Sequence, residues 1–136
     1  MSSDTECRSC GFELYNPYAV LTSGILGLYD DSRFPGRSIL SLHQHYDFLE
    51  DVPAEKSATF MRDIQLAAGR MKELLGADRV NVAILGNTES HVHAHLIPRY
   101  AQLDPLPLKS PWDDPRPRTK MEPGFRNQIF DLLKGI

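Results

Sequence analysis

His91-Val92-His93-Ala94-His95-Leu96-Ile97 alternates imidazole with apolar side chains. Strict period two marks a β-strand with one polar and one buried face, because successive side chains leave opposite sides of the pleat. Val92, Ala94 and Leu96 then enter a core while three imidazoles line the other side. Same-face Cα atoms lie about 6.6 Å apart, so His91 and His95 are about 13 Å apart. One metal ion can accept two neighbouring imidazoles of such a strand but hardly three, so at least one ring has other work. Three readings follow: half-exposed surface histidines, a two- or three-His metal hydrolase site, or direct chemistry on phosphate. A neutral imidazole is a good nucleophile near pH 7. A flanking imidazolium can stabilise charge on non-bridging phosphate oxygens. Three of the chain's five histidines fall in this row, which speaks against scattered surface residues.

Outward from the row, Gly86-Asn-Thr-Glu-Ser90 is a short turn and residues 80–85 form a strand. Residues 53–75 place Phe60, Ile64, Ala67, Ala68, Met71, Leu74 and Leu75 at the three-to-four spacing of a helix face. Pro53 suits the first turn and Gly76 the C-terminal cap. Ser38-Ile-Leu-Ser-Leu42 reads as a strand, Asp30-Asp-Ser-Arg-Phe-Pro-Gly36 as a turn, and residues 19–29 as a strand in which Gly24 and Gly27 hint at a bulge or turn. A short helix runs from about Gly124 to Leu133, with Phe125, Ile129, Leu132 and Leu133 inward. Seven of the ten prolines lie between Pro98 and Pro123, in an extended segment that also holds the only tryptophan, Trp112. A pure linker rarely needs a tryptophan, so this segment is expected to pack against the body or a partner subunit. Its charged residues, including Asp113, Asp114, Arg116 and Arg118, read as a solvated loop, and Arg99 as one half of a surface ion pair. The order of elements predicts an α+β fold: an antiparallel β-sheet of about five strands carrying a long helix and a short C-terminal helix.

A chain of 136 residues is one domain, 1–136, divided into a tail 1–12, a core 13–100 and a proline-rich segment with the C-terminal helix 101–136. Fifteen Lys and Arg against eighteen Asp and Glu give a net charge of −3, which argues against bulk nucleic-acid binding. No stretch approaches the ~20 apolar residues of a membrane span. The polar N-terminus has no apolar core, so no signal peptide is expected. These features predict a cytoplasmic protein without membrane or nucleic-acid partners. In that reducing setting a disulfide between Cys7 and Cys10 is improbable. Cys7-Arg-Ser-Cys10 has the half-site spacing of a zinc knuckle; a redox pair or two ordinary thiols are the alternatives. Zinc needs two further ligands, and His43, His45 and His91 are available.

The run from His91 to Arg99 resembles the histidine triad motif, His-φ-His-φ-His-φ-φ with φ apolar. Asp30-Asp-Ser-Arg-Phe-Pro-Gly-Arg-Ser-Ile-Leu resembles the family's turn and following strand, which usually reads Pro-Gly-His. Leu85-Gly-Asn87 is similar to a bacterial, diadenosine polyphosphate hydrolase-like branch. The resemblance covers about residues 7 to 100. It implies a histidine triad (HIT)-like fold and a nucleotide hydrolase or transferase. The substrate is a nucleoside phosphate, of dinucleoside polyphosphate or phosphoramidate type, cleaved through a covalent nucleotidyl-histidine. On this sequence His93 is the nucleophile, and His95 bonds a phosphate oxygen or assists the leaving group. Asp30, with Asp31 as rival, holds the ribose. Asn87 and Ser90 contact phosphate. Arg37 stands where the family has histidine and either pairs with phosphate or sits in solvent. A glutamine-bearing segment usual before the triad is missing, and Glu89 occupies the loop instead. No catalytic metal is required. Some members, including the galactose-1-phosphate uridylyltransferase branch, join a Cys-x-x-Cys to a downstream histidine and to the first triad histidine. By that likeness a structural zinc sits on Cys7, Cys10, His45 and His91, with His43 as rival third ligand. Family members are commonly homodimers. Two further readings stay open: a non-catalytic nucleotide-binding module, and a zinc-dependent hydrolase using the histidine strand.

Overall fold

The structure, a computed structural model, describes residues 5–136; residues 1–4 of the tail lie outside the described residues. Five strands form one antiparallel sheet: β1 (Pro17–Val20), β2 (Gly24–Leu28), β3 (Ser38–Leu42), β4 (Arg79–Ala83) and β5 (His93–Arg99), in the order β1-β2-β3-β5-β4. Helix α1 (Ala54–Leu75) lies between β3 and β4 in sequence, and α2 (Pro123–Leu133) ends the chain. This is the α+β architecture that the alternation of patterns predicts.

The register explains how the sheet makes a site. Leu26, Leu40 and Ala94 are cross-strand neighbours on one face, and all are fully buried. They meet Phe60, Ile64, Ala67 and Met71, the helical stripe of α1, in a single core. Gly27, Ile39 and His95 are the next row, on the opposite face. Gly27 has to be glycine there. A Cβ on it would lie 2.5 Å from the Tyr15 carbonyl oxygen and 2.8 Å from Leu14 Cγ, so the N-terminal segment lies directly across this face. Gly76 caps α1 in a left-handed conformation, with its N–H bonded to the Lys72 carbonyl.

Four expectations need correction. The apolar run 19–29 is two strands rather than one. The chain reverses at residues 21–23, where the Ser23 N–H and hydroxyl both donate to the Asp63 carboxylate of α1, at 2.9 and 2.6 Å. The irregular step lies earlier, between Pro17 and Ala19. The ladder of β5 begins at His93, because the Val92 N–H leaves the sheet for the Tyr46 carbonyl, while its carbonyl still accepts from Leu42 N–H of β3. Arg99 is a buried anchor, not half of a surface pair. It reaches Asp104 at 2.8 Å, the Asn81 side chain and the carbonyls of Leu106 and Lys109, and so pins the proline-rich segment to the sheet. On α2, Ile129 and Leu133 face inward while Phe125 and Leu132 are exposed. Residues 129 and 133 lie one turn apart on the stripe that meets the core, and Leu132, next to Leu133 in sequence, is turned about 100° from it. No described helix is long and apolar enough to cross a membrane.

Candidate functional site

On the sheet face away from α1 lies a cleft of about 1340 Å³. Its floor is His93 and His95 with Gly27 and Ile39; Asp30, Asn87 and Glu89 stand on its walls. The proline-rich segment and α2 close another side with Arg118, Thr119, Lys120 and Arg126.

His93 is buried, and its Nδ1–H donates to the backbone carbonyl of His91 at 2.5 Å. That bond fixes the tautomer: Nε2 is the nitrogen left with a lone pair. Phe12 stacks on the rings of both His93 and His91, at centroid distances of 4.9 and 5.2 Å. His95 is half-buried beside it. Its Nδ1 lies 3.3 Å from an Nη of Arg37. Burial lowers the His95 pKa to about 4, with the charge of Arg37 and the neighbouring His93 acting in the same direction. The ring is therefore neutral through the physiological range.

Arg37 is not in solvent. It is 4 % exposed, its other Nη donates to Asp31 at 2.9 Å, and its guanidinium lies 3.9 Å from the Tyr29 ring centroid. Asp31 is fully buried and also takes a forked pair of bonds from Arg33. Burial pushes its carboxyl up, but the bonds from Arg33 and Arg37 outweigh that and hold it below the usual carboxylate range. Asp31 is thus occupied by arginines, while Asp30 borders the cleft and accepts the Met121 N–H at 2.8 Å. Asn87 is exposed on the cleft wall. Ser90 is exposed too, and its hydroxyl donates to the Asp47 carbonyl.

A second cluster adjoins the first. One ligand atom from each of Cys7, Cys10, His45 and His91 falls within 4.8 Å of all the others. Cys7 Sγ is 3.6 Å from His45 Nδ1, Cys10 Sγ is 3.8 Å from His91 Nδ1, and the two Nδ1 atoms are 3.3 Å apart. Tetrahedral zinc, with Zn–S about 2.3 Å and Zn–N about 2.0–2.1 Å, has ligand–ligand edges of about 3.3–3.8 Å, so the donor set fits that ion. The far nitrogens are held as metal-ligating histidines require: His91 Nε2–H donates to the Leu42 carbonyl at 3.0 Å, and His45 Nε2 meets Asp47 at 2.8 Å. His43 is turned away, donating from Nε2 to the Leu21 carbonyl. His91 belongs to this cluster and His93 and His95 to the cleft, so the row is divided between two jobs.

Sequence reasoning missed Tyr29 and the cationic wall. Arg118 reaches the Tyr29 hydroxyl, and Arg116 pairs with Asp114 at 2.7 Å and bonds the Arg33 carbonyl. Only Trp112 signalled that this segment packs inward; its ring meets His95 edge-on at 6.4 Å.

Comparison with known proteins supplies the family. The pattern of the HIT domain matches residues 27–102. An uncharacterized HIT-like protein of Methanocaldococcus jannaschii is 27 % identical over 73 residues, 50 % of this chain; the chain spans only 56 % of that relative's length. Among solved structures, a histidine triad protein of Sinorhizobium meliloti has a TM-score of 0.76 at 20 % identity, over 88 % of this chain and 87 % of that one. A zinc-bound histidine triad family protein of Mycobacterium smegmatis has a TM-score of 0.64 at 22 % identity, over 88 % and 81 %. The diadenosine triphosphate hydrolase of Plasmodium falciparum has a TM-score of 0.66 at 17 % identity, over 93 % and 80 %. At these identities the structural likeness establishes the fold.

Proposed function

The chain belongs to the HIT domain family, and on that premise we propose that it is a nucleotide hydrolase or transferase that cleaves a nucleoside phosphate through a covalent nucleotidyl-histidine on His93. The observation that carries this reading is the His93 ring, which donates from Nδ1 to the His91 carbonyl and borders the cleft. A neutral imidazole held in that tautomer presents Nε2 as nucleophile without prior deprotonation. His95, neutral beside it, bonds a phosphate oxygen. Asp30 holds the ribose hydroxyls; Asn87 and the backbone near Ser90 hold phosphate. The likeness to a diadenosine triphosphate hydrolase supports a dinucleoside polyphosphate or related phosphoramidate as substrate.

Zinc on Cys7, Cys10, His45 and His91 is structural in this reading and clamps the N-terminal segment to the sheet; the chemistry itself needs no metal. His91 orients His93 through its backbone carbonyl. The domain 1–136 works as a cytoplasmic homodimer, as the family resemblance implies.

The test is incubation with a dinucleoside polyphosphate and a nucleoside phosphoramidate, with quenching in alkaline denaturant, where a P–N bond survives, and mass spectrometry of the protein. A nucleotidyl adduct on His93 is expected, and His93→Ala loses about 10⁴-fold or more in turnover. Equal nucleotide release by both proteins overturns the reading. Glu89 on the cleft wall favours one rival, a nucleotide-binding module without turnover; that rival predicts binding heat in calorimetry and no adduct.

A further inference from the structure

The position that resembles the family's histidine is Arg37, and here it touches the third member of the row. Arginine has five donors and no acceptor, and it stays charged at any working pH. Its 3.3 Å contact with His95 Nδ1 is therefore a hydrogen bond only if that nitrogen is bare. The proton of a neutral ring then sits on Nε2. The guanidinium cannot turn away readily. Asp31 holds one Nη, the Tyr29 ring lies against its face, and Trp112 lies 5.6 Å from it. The groups facing His95 are Arg37, Tyr29, His93 and Trp112, from four different segments. None of them is an acid that could draw a proton onto the ring.

We propose that Arg37 is a positioning residue that locks His95 as a neutral Nε2–H donor, and that the site is therefore selective for phosphate over amine leaving groups. This rests on the proposed function and deepens it. In the first step His93 Nε2 forms a bond to the α-phosphorus. The bond from phosphorus to the leaving atom breaks, and its electron pair departs with that atom. A phosphate oxygen leaves as an oxyanion, stabilised by the His95 hydrogen bond, and needs no proton. An amine nitrogen must gain a proton as it leaves, and His95 cannot give one without becoming an imidazolate. Water then attacks phosphorus, the P–N bond breaks, its electrons return to His93 Nε2, and one proton of the water goes to solvent.

Two measurements decide the matter. Nitrogen-15 spectra of the wild-type ring are expected to show His95 Nδ1 unprotonated and no titration between about pH 5 and about pH 8. A protonated Nδ1, or a ring that titrates in that window, overturns the proposal. In kinetics, wild-type kcat/KM is expected to favour a dinucleoside polyphosphate over a phosphoramidate of the same nucleoside. Arg37→His is expected to shift that ratio toward the phosphoramidate by about 10-fold or more and to add an ionisation to the pH profile. Equal or inverted wild-type preference overturns the proposal even if the variant does not fold. Turnover of neither substrate, with no adduct, overturns the proposed function instead; the ring spectrum then decides alone whether Arg37 fixes His95.

Discussion

His91 and His95 stand four residues apart, and their surroundings are built on opposite plans. His91 converges with Cys7, Cys10 and His45, four electron-pair donors whose two Nδ1 atoms approach to 3.3 Å. His95 faces Arg37, a cation that Asp31 neutralises from behind. In the proposed reading the first end draws its positive charge from a bound zinc ion. The second carries its own. Between them, His93 is tied to the first end through the His91 carbonyl and touches the second through a ring contact of 5.2 Å. The proposed nucleophile is thus hydrogen-bonded toward the first end and only in ring contact with the second.

Removing that charge is the strongest way to break this contrast. Zinc stripping, or Cys7→Ser, is expected to cost about 5 kcal/mol or more, read as a fall in Tm, because binding energy at such sites is folding energy. The His95 ring spectrum should not change. If Tm is unmoved by metal removal, the two ends do not differ as described.

The converse change is smaller. Asp31→Asn leaves buried Arg37 and half-buried Arg33 around a neutral group, and about 3 kcal/mol of stability is expected to go. It should also alter acid sensitivity. The folded carboxyl titrates below the unfolded one, so its contribution is complete above about pH 4 and is lost as pH falls further, through the folded value. Urea midpoints against pH are expected to fall more steeply below that point in wild type than in the variant.

The smallest effect sharpens the link between the ends. Phe12 follows the Cys-x-x-Cys turn and stacks on His91 and His93. Phe12→Leu is expected to cost about 1 kcal/mol and to lower kcat more than it raises KM. That loss should shrink when the metal is gone, since the clamp holding Phe12 is then gone too. An unchanged loss would separate the stack from the clamp.

What sequence conveyed and what it withheld follow from range. Alternation in the histidine row and the stripe from Phe60 to Leu75 are local patterns, so β5 and α1 were legible. The reversal at residues 21–23 was not, because its anchor is Asp63 on a distant helix. Arg37 and Arg99 look like surface charges until the fold delivers Asp31 and Asp104 to them. Two cysteines announce half a metal site; the family likeness named His45 over His43, and the chain's path after β3 brings His45 to the cysteines. Arg118, Lys120 and Arg126 carry no motif, and only tertiary packing brings them to the cleft.

Trp112 is the sole tryptophan of the chain, half-exposed, with its indole edge toward His95. The protein therefore carries a native fluorophore against one of the two histidines that line the cleft. Occupancy changes the water around that indole, so emission can follow association and release in real time without a label or a coupled assay.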